Sequence, residues 1–387
     1  MENKLKKNKK VIIVSNCTWY LYNFRSELLE ILSKSEYDII LVSPFDKYYK
    51  KIKKYFIRNE RLFLIRGSEN PLLEIFTIFH LIYIFLRNKP TLVHNFTIKP
   101  SLYGGLVGRL VGIKYIVNHI TGLGPSLLSN RKKIQILNKI IKPIYKYAFK
   151  SKNCVNIFHN KDDRDFFVKE NLTLFKNTKI INGSGVDINY FKSNSSIKIK
   201  DKGKRKFQFL FPARILKEKG IIELIAACDY LWSEKYKFVL NIVGEIDLHN
   251  NSSLNQKNLN QLKLNKNIKL LGKSNNMLSL YKRMDFVILP SWREGLSKSL
   301  IEAAAMSLPI ITTNVPGCRE VIIDGYSGVL IPSKDVNSIK LAMKNYLDNP
   351  EIAIRYGINA RKIAEKYFSI DIINNQILEI YKNFLDT

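Results

Sequence analysis

The sequence predicts two doubly wound α/β domains, each built around a parallel β-sheet, and three observations support this. Short apolar runs alternate with segments of helical periodicity, the alternation occurs twice, and a polar stretch at residues 192–206 separates the two sets. Such alternation is typical of parallel sheets that helices cover on both faces. With 387 residues, of which 46% are hydrophobic, the chain is long enough for two domains that each bury a core.

The first set of apolar runs predicts six buried strands, because each run is short and continuous. The predicted strands cover residues 11–14, 39–42, 62–65, 92–94, 115–119 and 155–159. Between them, residues 23–33 and 72–87 show helical periodicity. These elements predict an N-terminal domain over residues 1–192.

The second set predicts a C-terminal domain over residues 193–369. Its predicted strands cover residues 207–211, 238–243, 268–271, 286–289 and 310–312. No strand follows the last helical segment, so we expect residues 370–387 to pack back toward the N-terminal domain. Ligands of doubly wound sheets bind beyond the carboxyl ends of the strands, so two facing domains would close a cleft between them.

The composition is strongly basic, with 63 Lys and Arg against 33 Asp and Glu and a formal net charge of +30. This balance favours an anionic partner, which could be nucleic acid, an anionic membrane surface or a phosphate-bearing substrate. A lysine-rich codon bias would give the same charge. The four cysteines lie far apart and show no metal-ligand or redox spacing, which suits a reducing cytosol.

No apolar run reaches the roughly 20 residues of a membrane-spanning helix. The longest, residues 72–86, includes Glu74 and His80. We therefore expect no segment that crosses a bilayer.

A basic loop follows the strand predicted at residues 207–211. It carries Arg214 and Lys219, and a helical pattern begins at Gly220. An Arg and a Lys at the carboxyl end of a strand can surround a diphosphate, and the start of a helix adds backbone N–H groups. The alternative is a solvated basic turn in a lysine-rich protein.

A second loop follows the strand predicted at residues 286–289 and contains Glu294. Gly295 permits an unusual backbone turn, and a helix is predicted from Leu296 onward. The amides of Gly295, Leu296 and Ser297 could then point at a phosphate. Glu302 lies eight residues after Glu294, about two helical turns further on. Its apolar neighbours predict burial, which favours a partner such as a ribose diol over a surface position.

Three further positions attract attention by their place in the sequence. His119 ends a predicted strand, where a side chain could contact a sugar or polarise a reacting centre, although a core histidine fits the pattern as well. Lys99 follows another strand and could meet an acceptor phosphate. The acidic cluster at residues 162–165 follows Asn160, so helix capping is favoured over a metal site.

Together these motifs resemble the retaining nucleotide-sugar glycosyltransferases of glycosyltransferase family 4. The same pattern continues in Asn-Gly-Ser-Gly-Val-Asp at residues 182–187, in Ile-Val-Gly at residues 242–244 and in Asn-Val-Pro-Gly-Cys-Arg-Glu at residues 314–320. The resemblance covers nearly the whole chain and implies the two-domain GT-B fold.

The resemblance also implies roles for individual residues. Arg214 and Lys219 would bind the donor diphosphate, Glu294 the donor sugar hydroxyls and Glu302 the ribose, while Gly244 would lie at the donor site. It implies a UDP-sugar co-substrate and no metal or other cofactor, since the Arg and Lys neutralise the leaving group.

The N-terminal half resembles bacterial enzymes that build lipid-linked surface glycans. The residues concerned are Leu-Tyr-Asn-Phe-Arg at residues 21–25 and Asn-His-Ile-Thr-Gly-Leu-Gly at residues 118–124. This implies transfer of a hexose or N-acetylhexosamine, with retention, to a polyprenyl-diphosphate-linked glycan in O-antigen or capsule assembly. Residues 16–20 lack the glycine-rich loop of many relatives, so we expect Arg25 to take part of its role in binding the donor.

A basic amphipathic pattern occupies residues 131–150. Leu137, Ile140, Ile141, Ile144 and Ala148 share one helical stripe, and Lys139, Lys142, Lys146 and Lys150 lie on the other side. With the lysines of residues 1–10, this predicts a protein that is cytoplasmic and bound to the inner face of the plasma membrane by anionic headgroups. An ordinary helix that covers the sheet with a wet basic face is the alternative.

Two other functions fit parts of the sequence. A UDP-N-acetylglucosamine 2-epimerase would share the two-domain fold and would release a free epimerised sugar without an acceptor. A nucleic-acid-binding protein would explain the charge, but the sequence shows no helix-turn-helix, zinc spacing or aromatic RNA-binding signature. We therefore expect no nucleic-acid partner.

Overall fold

The computed structural model describes residues 9–65, 67, 70–123, 132–192, 206–246 and 252–386. The chain divides into two compact units, the first comprising Met1–Ser184 with Ile373–Thr387 and the second Gly185–Ile372. Each unit contains one sheet, and every pair of neighbouring strands in the described sheets is parallel. The doubly wound α/β class predicted from the alternation of elements is confirmed.

The sheet of the first unit has seven strands in the order β3-β2-β1-β4-β5-β6-β7. The strands are β1 Lys10–Ser15, β2 Asp38–Ser43, β3 Arg58–Arg61, β4 Leu92–Phe96, β5 Tyr115–Ile120, β6 Cys154–Phe158 and β7 Thr178–Ile180. The order reverses beside β1, between β1 and β4, which is where doubly wound sheets bind ligands.

Helices cover both faces of this sheet. Successive side chains of a strand point to opposite faces, so each interior strand packs with helices on both sides. The helices are α1 Thr18–Ser33, α2 Tyr49–Ile52, α3 Pro71–Asn88, α4 Ile98–Leu110, α5 Lys132–Phe149 and α6 Lys161–Lys169, joined by the chain's last helix, α13 Ile370–Leu385. Val11 and Ile13 pack with α1 and α13, whereas Ile12 and Val14 pack with α3 and α4. Asn160 caps α6 by accepting the Asp163 amide at 2.7 Å, as predicted for the acidic cluster.

The sheet of the second unit has six strands in the order β10-β9-β8-β11-β12-β13. They are β8 Phe207–Pro212, β9 Phe238–Val243, β10 Ile268–Gly272, β11 Phe286–Leu289, β12 Ile310–Thr313 and β13 Val329–Ile331. The helices are α7 Ile221–Ser233, α8 Gln256–Leu264, α9 Met277–Tyr281, α10 Lys298–Ala305, α11 Val336–Asp348 and α12 Pro350–Tyr367. Its interior strands lie where the sequence predicts them.

The edges of the sheets differ from the prediction. The strand predicted at residues 62–65 is wrong: the edge strand is the polar Arg58–Arg61, which pairs with β2. Leu62 and Leu64 are buried, but they belong to the extended chain that follows the strand. The sequence analysis also missed β7 and β13, each of three residues at the far edge of its sheet. A three-residue strand is shorter than the four to eight residues over which an apolar run indicates a strand, so even β13, which is Val-Leu-Ile, gives no clear signal.

The basic amphipathic pattern corresponds to α5. Ile141, Ile144 and Ala148 pack into the core beneath this helix, as the ordinary covering helix requires. The side chains of Leu137 and Ile140 lie outside the described residues. Lys142 forms an ion pair with Glu170, so one of the predicted membrane-facing lysines has an acidic partner.

One described helix, α3, is long and apolar enough to cross a membrane by length and composition alone. Its 18 residues have a mean hydropathy of 1.3, and 28% of them are buried. The burial is one-sided, with Thr77, Leu81, Ile84, Phe85 and Asn88 facing the rest of the unit. These buried residues hold α3 on the sheet.

Candidate active site

Two loops meet at the carboxyl ends of β8 and β11 in the second unit. The first loop passes through a single 3₁₀ turn, Lys217–Lys219, and reaches α7 through Gly220, which has a φ of 74°. A Cβ on Gly220 would lie 2.0 Å from the carbonyl oxygen of Pro290 in the second loop. The Trp292 amide donates to the Glu218 carbonyl at 2.9 Å. Only glycine permits this approach of the two loops.

This approach brings Lys219 and Glu294 together. The Lys219 ammonium lies 2.6 Å from a Glu294 carboxylate oxygen, and the side chains are 15% and 16% exposed. The sequence analysis assigned both residues to the donor site, but nothing in the sequence indicated that they form an ion pair. The pair places a cation and an anion side by side in a largely buried position.

A third loop fixes the position of Glu294. The Glu294 amide donates to the Pro316 carbonyl at 3.0 Å, and a Cβ on Gly317 would lie 2.3 Å from the Glu294 carbonyl oxygen. The Gly317 amide in turn donates to the Glu320 carboxylate at 2.7 Å. Gly317 and Glu320 are therefore positioning residues that the sequence analysis named only as part of a motif. The Pro-Gly dipeptide at residues 316–317 is the signal that could have revealed them.

Arg214 and Gly244 lie beside each other in the backbone. A Cβ on Gly244 would lie 2.0 Å from the Ala213 carbonyl oxygen and 2.9 Å from the Arg214 nitrogen, so Gly244 lets the loop after β9 contact the loop after β8. The Arg214 side chain is exposed to solvent. An exposed guanidinium at the end of a parallel strand lies within reach of an incoming anion.

The loop from Gly295 to Ser297 differs in detail from the prediction. The unusual turn assigned to Gly295 is absent, since its φ is not positive; Gly317 has that conformation instead, with a φ of 80°. Helix α10 begins at Lys298 with Ser297 as its N-cap, and the Ser297 amide donates to the Gly317 carbonyl at 2.9 Å. Of the three amides expected to face a phosphate, that of Ser297 is therefore occupied within the protein. Leu296 packs against the core of the unit.

Glu302 is buried in α10, with 8% of its surface exposed. Its carboxylate accepts a hydrogen bond from the Tyr281 hydroxyl at 3.1 Å. Burial raises the pKa of Glu302, while the Lys298 charge and the Tyr281 hydrogen bond oppose that rise. Tyr281 supplies a hydroxyl partner from within the protein, so a ribose diol is not needed to explain the burial.

A second polar cluster lies in the first unit, at the carboxyl end of β5. Arg25 is 1% exposed, and its Nη2 lies 2.9 Å from His119 Nε2 and 3.2 Å from the Gly183 carbonyl oxygen. His119 Nε2 also lies 3.0 Å from His159 Nε2. Arg25 Nη1 and His119 Nδ1 are buried without a hydrogen-bond partner among the described residues. The structure thus joins the two predicted residues, and it adds His159, which the sequence analysis missed.

These contacts decide which ring nitrogens carry protons. An arginine guanidinium only donates, so His119 Nε2 accepts and its proton lies on Nδ1. The Nδ1–H of His119 is consequently a buried donor without an acceptor among the described protein groups. Such a donor suits a hydroxyl or carbonyl oxygen of a ligand.

The histidines of this cluster are neutral. Burial, followed by the positive charge of Arg25, lowers the pKa of His159 to about 3 and the pKa of His119 well below its ordinary value. Burial and Arg25 also lower the pKa of His94, whose ring stacks on that of His119 at 5.7 Å between centroids. His94 Nδ1 lies 3.0 Å from the Tyr381 hydroxyl of α13. Three neutral imidazoles and one guanidinium therefore form one buried polar group.

Lys99, the predicted acceptor ligand, lies near the start of α4. Its ammonium is 2.6 Å from a Glu74 carboxylate oxygen, and the other oxygen of Glu74 accepts the Tyr103 hydroxyl at 2.6 Å. An acceptor phosphate would have to compete with Glu74 for this lysine.

Two doubly wound sheets, each with polar side chains at the carboxyl ends of its strands, and a basic loop in the second unit are the features of a two-domain α/β protein with a polar site in each domain. The family model for glycosyl transferases group 1 matches residues 193–363, and the model for glycosyl transferase 4-like proteins matches residues 10–160. The chain belongs to these glycosyltransferases, and its fold is GT-B.

Relatives that align over nearly their whole length support the same family. The chain is 24% identical over 390 residues to the capsular polysaccharide biosynthesis glycosyltransferase CapM of Staphylococcus aureus, covering 98% of both chains. It is 25% identical over 371 residues to the N,N'-diacetylbacillosaminyl-diphospho-undecaprenol alpha-1,3-N-acetylgalactosaminyltransferase of Campylobacter jejuni, covering 93% of this chain and 95% of that protein. The crystal structure of Anabaena HepE in complex with UDP and glucose matches with a TM-score of 0.75 at 18% identity, covering 97% of this chain and 100% of that one.

The buried histidines make a testable contribution to stability. Their pKa values are lowered in the folded chain, so below about pH 6.5 the unfolded chain binds more protons and stability is lost. For His159 this loss continues down to about pH 3. We expect His159→Asn to reduce the slope of unfolding free energy against pH between 6.5 and 5 by about 1 kcal/mol per pH unit on average, measured by thermal denaturation across that range.

A His159→Asn variant with the wild-type slope would show that His159 is protonated in the folded protein.

Proposed function

We propose that this protein transfers a hexose or N-acetylhexosamine from a UDP-sugar to a polyprenyl-diphosphate-linked saccharide, with retention at the anomeric carbon, during assembly of a surface polysaccharide such as O-antigen or capsule. The Campylobacter relative is named for an undecaprenol-linked acceptor, and the Anabaena structure contains UDP. Both support a lipid-linked acceptor and a UDP-sugar donor for this chain.

The observation that carries the proposal is the Lys219–Glu294 pair at 2.6 Å beside the loop that carries Arg214. Transfer of the sugar leaves negative charge on the departing UDP. Lys219 and Arg214 would stabilise that charge in the transition state. Glu294 would accept hydrogen bonds from the hydroxyls of the donor sugar, and Glu302 from the ribose.

Donor binding would exchange one partner for another within this pair. Without donor, Lys219 neutralises Glu294. With donor, the diphosphate would take over Lys219 and leave the Glu294 carboxylate to the sugar hydroxyls. The backbone around Gly244, Gly295 and Leu296 would lie against the diphosphate, since Gly244 brings the loop after β9 against the backbone of Arg214.

In the first unit, His119 and Arg25 would bind substrate. The neutral His119 ring, held by Arg25 with its proton on Nδ1, would donate that proton in a hydrogen bond to a hydroxyl or carbonyl oxygen. The guanidinium of Arg25 sets the tautomer and the direction of the ring. Lys99 would bind an acceptor phosphate once it leaves Glu74.

The protein would act at the inner face of the plasma membrane, in the cytoplasm, where an anionic surface presents the acceptor. It would need no metal, because two cationic side chains take the neutralising part that a divalent ion plays elsewhere.

We expect Arg214→Ala and Lys219→Ala each to lower turnover at least about a hundredfold, since each removes one charge opposite the leaving group, worth about 3 kcal/mol. Lys217→Ala is the matched control, because Lys217 is an exposed lysine of the same turn and should keep normal turnover. Transfer of radiolabelled sugar to membrane lipid measures the effect. Near-normal turnover in both Arg214→Ala and Lys219→Ala would place the donor elsewhere.

Chelation tests the absence of a metal requirement. We expect the rate of sugar transfer to be the same with and without EDTA, because the charge of the diphosphate is neutralised by side chains. A rate that EDTA abolishes and Mg²⁺ or Mn²⁺ restores would contradict this.

A further inference from the structure

Six large apolar side chains form a continuous exposed stripe along α3. They are Leu72, Ile75, Phe76, Phe79, Tyr83 and Leu86, with exposed fractions from 49% for Ile75 to 75% for Leu72. At 3.6 residues per turn, their positions fall within an arc of about 100°. We call these six residues the apolar stripe.

The opposite side of α3 is buried and includes Thr77 and Asn88 beside its apolar residues. Leu81, Ile84 and Phe85 pack against Ile12, Val14 and their neighbours on the sheet. Only one side of α3 packs on the protein. Its exposed side is also apolar, which indicates that another partner covers it. Exposed apolar patches of this extent mark interaction sites on globular proteins.

The charges around the apolar stripe indicate what that partner is. Glu74 is the acidic residue of α3, and both its oxygens are engaged, one by the Lys99 ammonium and one by the Tyr103 hydroxyl. At the other end of the helix, Arg87 and Lys89 are exposed. The stripe therefore has two cations at its C-terminal end, and the negative charge near its start is neutralised.

The same layer of the first unit carries further basic side chains. Helix α4 packs against α3 on one side and α5 on the other. Lys139 and Lys146 of α5 are exposed. An apolar stripe flanked by cations matches a bilayer with anionic headgroups, since the apolar side chains enter the acyl boundary while the cations stay among the phosphates.

We propose that the apolar stripe of α3 is a membrane-docking surface that lies in the interface of an anionic bilayer. The helix lies in the plane and does not span, because its other side is packed on the sheet. This inference rests on the proposed function, in which the acceptor is a lipid and the enzyme must reach it. It assigns the apolar part of membrane binding to α3, whereas α5 contributes lysines.

Vesicle binding by the full-length protein tests this surface. The test variant is Phe76→Ser/Phe79→Ser/Tyr83→Ser, and the matched control is Leu264→Ser/Leu341→Ser/Ile358→Ser, which removes similarly exposed apolar side chains from the second unit. On phosphatidylglycerol–phosphatidylcholine vesicles, we expect the stripe variant to bind at least about tenfold more weakly than wild type. The control variant should bind as wild type does.

Salt separates the apolar part of binding from the ionic part. At about 1 M salt, where charges are screened beyond about 3 Å, wild type should keep residual vesicle binding and the stripe variant should lose it. In a Phe79→Trp variant, the tryptophan fluorescence should shift to shorter wavelength when vesicles are added, and this shift should exceed that of wild type. A stripe variant that binds like wild type at both salt concentrations would overturn the proposal.

Light scattering distinguishes a bilayer from a second copy of this chain as the partner of the stripe. A wild-type dimer that the stripe variant converts to a monomer, with vesicle binding unchanged, would mean that the stripe binds a second copy, and the proposal would fail. UDP binding by calorimetry is measured on the same samples. If wild type binds vesicles but does not bind UDP, the proposed UDP-sugar donor is wrong and the membrane-docking surface still stands.

Discussion

The contact between four loops at the strand ends of the second unit is the constraint on which the candidate site depends. Gly220, Gly244 and Gly317 each place a backbone where any side chain would come within about 2.3 Å of a carbonyl oxygen. Through these contacts Lys219 and Glu294, 75 positions apart, become an ion pair at 2.6 Å. Larger residues at the three positions would separate the loops, so the charges of the site are set by backbone packing as much as by the charged residues themselves.

The first unit uses a different principle, which is burial. Arg25, His119 and His159 are removed from water, and the positive guanidinium together with burial keeps the imidazoles neutral. A charged arginine beside neutral histidines can orient a ring without protonating it. The result is a buried N–H donor in the first unit and a cation–anion pair in the second.

The sequence predicts the interior of both sheets well, because a strand buried on both faces is a continuous apolar run. It fails at the edges, where Arg58–Arg61 pairs through its backbone and carries polar side chains. The sequence analysis identified Lys219 and Glu294 separately, from residue type and from position after a strand. Their ion pair could not be predicted, because residues 75 positions apart leave no local pattern. His94 and His159 escaped notice because isolated histidines in apolar strands look like core residues. The apolar stripe was missed because hydrophobicity on all sides of α3 indicates burial and does not show which side is covered.

The central claim is that Lys219 leaves Glu294 to hold the terminal phosphate of the donor nucleotide. Calorimetric binding of UDP and UMP to wild type, Lys219→Ala and Lys217→Ala tests it most directly, since the two nucleotides differ by that phosphate. We expect wild type and Lys217→Ala to bind UDP at least about tenfold more tightly than UMP, and Lys219→Ala to lose most of this preference. An undiminished preference for UDP in Lys219→Ala would contradict the claim.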